Sequence, residues 1–269
     1  MKNKIKKILK AMIPSRLRPR IRLAYKKIRF FGLRHLCPFC KSRLGRFLPY
    51  GLTFPVLTEK KVVGGGYRLN TLCPVCDSFD RERLLYLHLV HKTEIFSKPQ
   101  KVLHIAPEVR VRNVLTGKAN IDYLTADLMA DNVMAKVDIT DIRYPDNSFD
   151  SIICNHVLEH VIDDRKAMSE LYRVLKPGGW AILQVPMSLA LESTYEDFTI
   201  NTPEGREIAF GQNDHVRIYA KDYVDRLSQA GFKVELHNWY AENDNFGGRA
   251  NRFGLNEEEC VYRVSKPAA

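Results

Sequence analysis

The stretch VLHIAPE at residues 102–108 constrains the fold more than any other part of the sequence. Its apolar residues predict a short buried strand that ends in a loop, and Val111, Val114 and Leu115 then follow at helical spacing. A strand, a loop and a helix in this order begin nucleotide-binding α/β domains. The loop lacks the glycines that usually let a backbone approach such a ligand. How the loop could hold a ligand is therefore the first question that the sequence raises.

Short apolar segments and helical segments continue to alternate after this stretch. Buried strands separated by helices predict a mostly parallel sheet covered on both faces. An acidic segment at 195–213 interrupts the alternation and predicts an inserted lid. The predicted strands cover 101–105, 122–126, 136–138, 149–154, 180–185, 232–236 and 259–264, and the predicted helices cover 164–174 and 223–230.

The N-terminal 35 residues form a basic arm. They contain thirteen Lys or Arg and no Asp or Glu, whereas the rest of the chain has 29 basic and 31 acidic residues. Apolar residues recur at helical spacing within 1–13 and again within 21–31. A basic amphipathic helix favours a membrane surface, where each Lys or Arg contributes about 1 kcal/mol. RNA binding and a solvated tail are the alternatives.

The sequence contains neither a signal peptide nor a membrane span. Lysines interrupt the apolar residues of the arm, so no continuous hydrophobic region of a signal peptide forms. No later run approaches the roughly 20 apolar residues of a transmembrane helix. We therefore expect a cytoplasmic protein that can lie at the inner face of a membrane through residues 1–35.

Four of the six cysteines form two Cys-Pro-X-Cys pairs, which indicates a metal site rather than disulfides. Two thiolates on each tight turn give the four tetrahedral ligands that structural Zn²⁺ prefers. Reduced cysteines that bind nothing are the alternative. Cys154 and Cys260 are isolated, and we expect them in the core. The predicted zinc ligands are Cys37, Cys40, Cys73 and Cys76.

These features predict four parts of the chain. Residues 1–35 form the basic arm, 36–80 a zinc-ribbon-like module, 81–100 a connecting helix and linker, and 101–269 the main domain. The connecting helix presents leucines for packing, and its His88 is expected to pack rather than to bind a metal.

Acidic residues follow the second and third predicted strands. In open α/β sheets, ligands bind at the carboxyl ends of the strands. Asp127 lies 23 residues after His104, a spacing at which an acid accepts hydrogen bonds from ribose hydroxyls. Asp138, or else Asp141, is placed to accept from an adenine amino group. Alternatively, these acids only cap their loops.

Two longer segments resemble a known family. PDNSFDSIICNHVLEHV at 145–161 and LYRVLKPGGWAILQVP at 171–186 are similar to class I S-adenosylmethionine-dependent methyltransferases, in particular the type 11 group. The resemblance covers 101–186 and extends more weakly to 236. It implies a Rossmann-like, doubly wound, seven-stranded sheet whose last strand is antiparallel, with S-adenosyl-L-methionine as the cofactor.

The same resemblance assigns roles to individual residues. It implies that Asp127 contacts the ribose, that Asp138 and Ile139 contact the adenine, and that Asn155 lies beside the sulfonium and its methyl group.

The opening loop departs from the family pattern. The family usually has an acid at the position of His104 and glycines at 106 and 108, where this chain has Ala106 and Glu108. Pro107 has no N–H to donate to a ligand. We expect the Glu108 carboxylate to replace the missing acid and to bind the amino group of the methionine moiety. A degenerate pocket in a non-catalytic binding module is the alternative.

Methyl transfer requires alignment of a nucleophile and removal of its proton. His156 follows the fourth strand and is the candidate base, because imidazole titrates near neutral pH. His215 and Arg217 are candidates for substrate binding on a late loop. We expect His160 and Glu159 to pack or to cap their helix.

A metal held by His156 and His160 is not favoured by the sequence. In the zinc-protease pattern, Glu directly follows the first His, and here Val157 stands at that position.

The sequence favours a membrane-proximal methyl acceptor. A sugar hydroxyl of a surface-glycan or lipid-linked precursor fits a near-neutral body with a basic amphipathic arm. An RNA methyltransferase is the alternative, with Arg81, Arg83 and the arm on the phosphates, but the main domain lacks the basic excess of an RNA-binding surface. The sequence indicates no oligomeric state.

Overall fold

The computed structural model of the protein describes residues 14–268. The first helical stretch of the basic arm, within 1–13, lies outside the described residues. The second forms helix α1, Arg18–Arg29, whose residues are all at least partly exposed. Several large apolar side chains on and after α1 face solvent, including Ile28 and Leu33, which are 79% and 76% exposed.

The cysteine-rich module consists of short strands around two turns. Strand β1 pairs with β2, and β3 pairs with β5, in both cases antiparallel. In sequence, a helix and a further strand lie between β3 and β5, and a longer helix then leads to the main domain. The elements are β1 His35–Leu36, β2 Arg43–Leu44, β3 Leu48–Tyr50, α2 Pro55–Glu59, β4 Val62–Val63, β5 Arg68–Leu72 and α3 Asp80–Lys92.

The main domain is built on a seven-stranded sheet with covering helices. The elements are β6 Gln100–Ile105, α4 Val109–Leu115, β7 Ile121–Asp127, β8 Ala135–Lys136, β9 Phe149–Cys154, a 3₁₀ turn Leu158–His160, α5 Asp164–Val174, β10 Leu175–Ile182, β11 Met187–Ser188, β12 Tyr195–Glu196, α6 Pro203–Phe210, β13 Arg217–Ile218, α7 Tyr223–Gln229, β14 Lys233–His237, α8 Trp239–Glu242 and β15 Val261–Ser265.

The sheet confirms the predicted architecture. Its strand order is β14-β15-β10-β9-β6-β7-β8. The pairs β6–β7, β6–β9, β7–β8 and β9–β10 are parallel, whereas β15 is antiparallel to both β10 and β14. From β6, the chain first adds β7 and β8 on one side and then β9 and β10 on the other. This switch point lies between β6 and β9, and the carboxyl ends of β6, β7 and β9 lie at the same edge of the sheet.

The fifth strand differs most from its prediction. The turn at 176–179 was expected before the fifth strand but lies within β10, because Leu175 already pairs with Phe149 and the register shifts before Trp180. The chain bulges between these points. Gly179 fits there because a Cβ would lie 2.8 Å from the carbonyl oxygen of Asp150.

The segment between the two cysteine pairs packs against the main domain. Strand β4 pairs with β11 antiparallel, and the Ser188 hydroxyl donates to the Lys60 carbonyl at 2.6 Å. Helix α2 packs against α6, within the segment 195–213 that we predicted as a lid. The cysteine-rich module and the main domain therefore pack against each other next to the carboxyl ends of the parallel strands.

No helix of residues 14–268 is long and apolar enough to cross a membrane.

Candidate active site and metal centre

The two Cys-Pro-X-Cys turns have the same backbone geometry. The N–H of Lys41 donates to the Cys37 carbonyl at 3.0 Å, and the N–H of Asp77 donates to the Cys73 carbonyl at 2.9 Å. Lys41 and Asp77 both have left-handed backbones, with φ of 57° and 59°. Each turn therefore presents its two thiols on the same side.

The four sulfur atoms form a compact cluster. The Sγ atoms of Cys37 and Cys76 lie 3.6 Å apart, and those of Cys40 and Cys73 lie 3.9 Å apart. A tetrahedral site with Zn–S bonds of about 2.3 Å has edges of about 3.8 Å. The four thiols can therefore hold a zinc ion. Hydrogen bonds with the Cys37 and Cys73 thiols lower the pKa of Cys40 to about 6, which favours the thiolate that binds metal.

Polar groups surround this cluster. The Ser78 hydroxyl lies 3.4 Å from the sulfurs of Cys37 and Cys76. The Arg83 guanidinium is fully buried behind the cluster, where it donates to the Phe253 and Gly254 carbonyls of the C-terminal segment. This cation partly offsets the negative charge of four thiolates and ties the cysteine module to the main domain.

The loop after β6 adopts a conformation that normally favours glycine. Ala106 has a φ of 46°, a left-handed backbone that costs an L-residue roughly 1–2 kcal/mol. Its N–H donates to the Ala126 carbonyl at 2.8 Å, which fixes the turn against β7. The glycine-poor sequence thus still produces a tight turn at the end of β6.

Glu108 joins two other predicted site residues. Its Oε2 lies 2.8 Å from Nε2 of His104, and its Oε1 accepts from the Asn155 amide at 3.1 Å. Burial alone would raise the pKa of Glu108, but the hydrogen bonds from His104 and Asn155 hold it below its usual value. A charged carboxylate at this edge of the sheet fits the ammonium group of an amino acid.

Asp127 and Asp138 each use one carboxylate oxygen to shape their loops. Oδ1 of Asp127 accepts from the N–H groups of Met129 and Ala130, at 2.7 and 2.8 Å. Oδ1 of Asp138 accepts from the N–H and the hydroxyl of Thr140, which lower the pKa of Asp138. For both acids, Oδ2 has no hydrogen-bond partner within 14–268, so it remains available to a ligand.

Apolar side chains flank these acids. Leu128 and Met129, which follow Asp127, are 57% and 80% exposed, whereas Ile139, which follows Asp138, is buried in the core. A ribose and an adenine ring could therefore lie between free carboxylate oxygens and an uncovered apolar surface. These residues fit the family's cofactor.

A cavity of about 340 Å³ lies beside this edge, between the main domain and the cysteine-rich module. Its walls combine polar or charged side chains with apolar residues and come from both parts of the chain. A second, smaller cavity shares Arg81 and His156 with the first and is also lined by Glu108 and Asn155. The lining of the larger cavity includes Tyr50, Gly64, Arg68, Arg81, His156, Glu159, His160 and His215.

His156 occupies a constrained position between the two cavities. Its φ is 56°, and its N–H donates to the Gln184 carbonyl at 2.7 Å. Nδ1 lies 3.5 Å from Oε1 of Glu159, whereas Nε2 is buried without a hydrogen-bond partner in the described part of the chain. Burial, followed by the charge of Arg81, lowers the pKa of His156, which keeps the ring in its neutral form.

Glu159 lies at the centre of a group of histidines. Its carboxylate is almost fully buried, its Oε2 has no hydrogen-bond partner among the described residues, and burial raises its pKa to about 8. His160 lies next to it, and its Nδ1 is 3.2 Å from Oδ2 of Asp214. One donor atom from each of Glu159, His160 and His215 lies within 4.8 Å of the others.

Arg217 has a structural position. It is 1% exposed, and its guanidinium donates to Glu196 and to the carbonyls of Leu158, Val161 and Ile162. These donors stabilise the turn after β9, and we do not retain Arg217 as a substrate contact. His215, by contrast, lines the cavity.

Sequence reasoning did not assign Gly64 to this site and considered Arg81 only for the RNA alternative. Gly64 packs against the His156 ring, where a Cβ would lie 3.5 Å from Cε1. Arg81 reaches the cavity from the start of α3, and its Nε has no hydrogen-bond partner within 14–268. Only the GGG run at 64–66 signalled a close backbone approach in the sequence.

Comparisons with known proteins agree with this fold. Residues 103–183 match the family model described as "Methyltransferase domain". The chain is 27% identical over 128 residues to a ubiquinone/menaquinone biosynthesis C-methyltransferase of Enterobacter sp. (strain 638), covering 46% of this chain and 47% of the relative. It is 44% identical over 72 residues to a demethylmenaquinone methyltransferase of Clavibacter sepedonicus, covering 27% and 25%.

A solved structure of phosphoethanolamine N-methyltransferase 2 from Haemonchus contortus, in complex with S-adenosyl-L-methionine, is also similar. It is 15% identical, with a TM-score of 0.46 over 70% of this chain and 52% of that one. The chain spans between a quarter and a half of the length of the first curated relatives that it matches. The family match and the strand order together place residues 103–183 in the methyltransferase-domain family, within the class I methyltransferase fold.

Proposed function

We propose that the protein is an S-adenosylmethionine-dependent methyltransferase whose acceptor binds in the larger cavity. The observation that carries this proposal is the position of His156. It lines both the small cavity at Glu108 and Asn155 and the larger cavity beyond. A cofactor bound at Glu108 and an acceptor in the larger cavity would meet at this residue.

The proposed cofactor site follows from the carboxylates at the sheet edge. Glu108 holds the ammonium of the methionine moiety, Asp127 accepts from the ribose, and Asp138 accepts from the adenine amino group. Asn155 positions the Glu108 carboxylate. When bound, S-adenosylmethionine supplies a methyl group on a positively charged sulfur, which a nucleophile can displace directly.

The protein's own contribution to the reaction is alignment and proton removal. The acceptor's hydroxyl proton passes to Nε2 of His156, whose Nδ1 lies 3.5 Å from Oε1 of Glu159. With S-adenosylmethionine held by Glu108, Asp127 and Asp138, the acceptor oxygen would take the methyl group, and the electron pair of the broken C–S bond would remain on the sulfur. Water is restricted because Gly64 and the cysteine-rich module cover His156.

We propose a sugar hydroxyl on a phosphate-bearing, lipid-linked or surface-glycan precursor as the acceptor. The cavity walls offer hydrogen-bonding side chains for a sugar, and Arg81 offers a guanidinium that forms no salt bridge among the described residues. The basic helix α1 with its exposed apolar residues would hold the enzyme at an anionic membrane that carries such a precursor. We further propose that the four cysteines bind structural Zn²⁺.

Transfer of labelled methyl groups tests the acceptor class. The protein is incubated with methyl-labelled S-adenosylmethionine and cell extract, and the products are separated into lipid-linked, polysaccharide and RNA fractions. We expect label in the first two fractions. Label that ribonuclease removes would instead establish RNA as the acceptor.

The matched variant for this experiment is His156→Asn. Asparagine tolerates the left-handed backbone at this position but cannot accept a proton. We expect His156→Asn to bind S-adenosylmethionine as the wild type does and to transfer methyl groups at least a hundredfold more slowly, since general base catalysis contributes about 10²–10⁴-fold.

A further inference from the structure

The larger cavity, in which we place the acceptor, contains a group of possible metal ligands. Proton removal by His156 does not require them. Glu159, His160 and His215 bring three potential ligand atoms within 4.8 Å of one another. Glu159 comes from the turn after β9, and His215 from the loop before β13. Two separate segments of the chain therefore bring these side chains together.

The His160 ring has one nitrogen engaged by Asp214 and the other on the side of Glu159. Nδ1 of His160 lies 3.2 Å from the Asp214 carboxylate, which leaves Nε2 on the side of Glu159, 3.9 Å from Oε1. Burial lowers the pKa of His215 to about 4, so its ring is neutral and suited to bind a metal. The two rings pack edge to face with centroids 4.7 Å apart. A carboxylate or carbonyl partner on the distal nitrogen is the usual support of a metal-binding imidazole.

The Glu159 carboxylate is the unexplained member of the group. The residue is 1% exposed, and Oε2 has no hydrogen-bond partner among the described residues. A buried polar atom that lacks a partner carries a free-energy cost of about 1–3 kcal/mol. A cation would remove this cost and would bind both imidazoles at the same time.

We propose that Glu159, His160 and His215 form a second metal site, distinct from the four cysteines, which binds a divalent transition-metal ion such as Zn²⁺. Two imidazoles and one carboxylate are a ligand set that transition metals favour over Mg²⁺ or Ca²⁺. With ligands at about 2.1 Å, a tetrahedral edge is about 3.4 Å, so His160 and Glu159 approach each other by about 0.5 Å on binding.

The position of this site gives it a role in acceptor binding. Three protein ligands would leave a tetrahedral ion one open coordination position, as in catalytic rather than structural zinc sites, and all three residues line the cavity. On the proposed methyltransferase function, on which this role rests, the ion accepts an oxygen of the acceptor as a ligand and makes its hydroxyl more acidic, and His156 takes the proton. A metal ion at this site would restrict the acceptors to molecules whose hydroxyl group can bind a metal.

Zinc content and zinc titration test the site directly. The full-length protein is dialysed against a weak chelator that leaves the four-cysteine zinc in place, its zinc content is determined by elemental analysis, and Zn²⁺ is titrated by calorimetry. We expect one further equivalent to bind per chain. Glu159→Gln and His215→Gln should lose this equivalent, whereas His91→Gln, which alters an exposed histidine outside the cavity, should keep it.

Asp214→Asn tests the same site by a substitution at an exposed residue, which does not disturb the packing of the core. The Asp214 side chain is 59% exposed and contacts only the distal nitrogen of His160 within this group. We expect about tenfold weaker Zn²⁺ binding, because outer partners of metal ligands typically contribute 10–100-fold. Unchanged Zn²⁺ binding in Asp214→Asn, together with unchanged binding in folded Glu159→Gln, would overturn the site.

S-adenosylmethionine is titrated into the same samples. If the wild type takes up no further Zn²⁺ at millimolar concentration but binds S-adenosylmethionine, the second metal site is wrong and the methyltransferase proposal stands. If it binds Zn²⁺ but not S-adenosylmethionine, the metal site stands and the methyltransferase proposal fails.

Discussion

Nε2 of His104 and Oε2 of Glu108 lie 2.8 Å apart across the loop that follows β6. His104 occupies the position at which similar methyltransferases usually have an acid. Its imidazole is 0% exposed and contacts the carboxylate of Glu108, four residues further along the chain. In this chain the negative charge therefore lies at the N-terminal end of α4 rather than on the strand, and the helix dipole also stabilises an anion there.

We predict that Glu108→Gln weakens S-adenosylmethionine binding by about ten- to a hundredfold. The substitution keeps the side-chain volume but removes the charge, and a hydrogen bond to a charged group contributes about 1.5–3 kcal/mol. Calorimetric titration measures the change. Glu192→Gln, at an exposed residue paired with Lys221, is the matched control and should bind as the wild type does. Equal affinity for Glu108→Gln would remove Glu108 from the cofactor site.

The sequence predicted the main sheet because its strands and helices carry strong periodic signals. Strand β9 at Phe149–Cys154 and helix α5 at Asp164–Val174 match their predicted bounds. The cysteine cluster was also predictable, because two Cys-Pro-X-Cys turns have few other uses. The bulge within β10 was not, because it depends on contacts between Gly179 and the neighbouring strand.

The cavity could not be predicted from local patterns. Gly64 and Arg81 precede the main domain in sequence, and they reach His156 only because the segment between the cysteine pairs folds back onto the sheet. Arg217 shows the opposite case. Its position in a polar loop suggested substrate binding, but tertiary contacts use its donors inside the protein.

We predict that Cys40→Ser destabilises the whole protein and abolishes zinc binding at the cysteine cluster. The free energy of metal binding contributes to folding at such sites, and Arg83 connects the cluster to the C-terminal segment. Elemental analysis and thermal unfolding measure both effects.

Cys260→Ser is the control for this substitution, because Cys260 is partly exposed and lies outside the cluster. We expect it to retain zinc and wild-type stability. A Cys40→Ser protein with the zinc content and melting temperature of the wild type would show that the cluster binds no structural metal.

His88 should make the protein sensitive to acid. Burial, followed by the charge of His237, lowers the pKa of His88 to about 3, and both ring nitrogens lack hydrogen-bond partners within the described chain. The unfolded chain binds a proton at this residue near pH 6.5, whereas the folded protein does not until near pH 3. The stability contributed by neutral His88 is therefore complete above pH 6.5 and is lost as the pH falls toward 3.

Denaturant unfolding of His88→Leu at several pH values tests this prediction. Between pH 6 and pH 4, the free energy of unfolding of the wild type should fall more steeply than that of the variant, by about 1.4 kcal/mol per pH unit. Parallel pH profiles for the two proteins would contradict the assignment.

The basic arm should bind anionic membranes. Helix α1 carries basic residues throughout and leaves Ile28 and Tyr25 exposed. In vesicle flotation we expect the full-length protein to be recovered with anionic vesicles and not with neutral ones, and this recovery to fall at high salt. Replacement of Arg18, Arg20, Arg22 and Arg29 by Gln should reduce the recovery, whereas equal recovery on both vesicle types would exclude electrostatic docking.

The central claim is that the edge formed by β6, β7 and β9 binds S-adenosylmethionine, and calorimetric titration of the wild-type protein with this ligand tests it most directly. We predict saturable binding of one equivalent per chain, and about tenfold weaker binding for Asp127→Asn, which loses the charged acceptor for the ribose hydroxyls. Absence of binding at millimolar ligand, in a protein that unfolds cooperatively, would contradict the account.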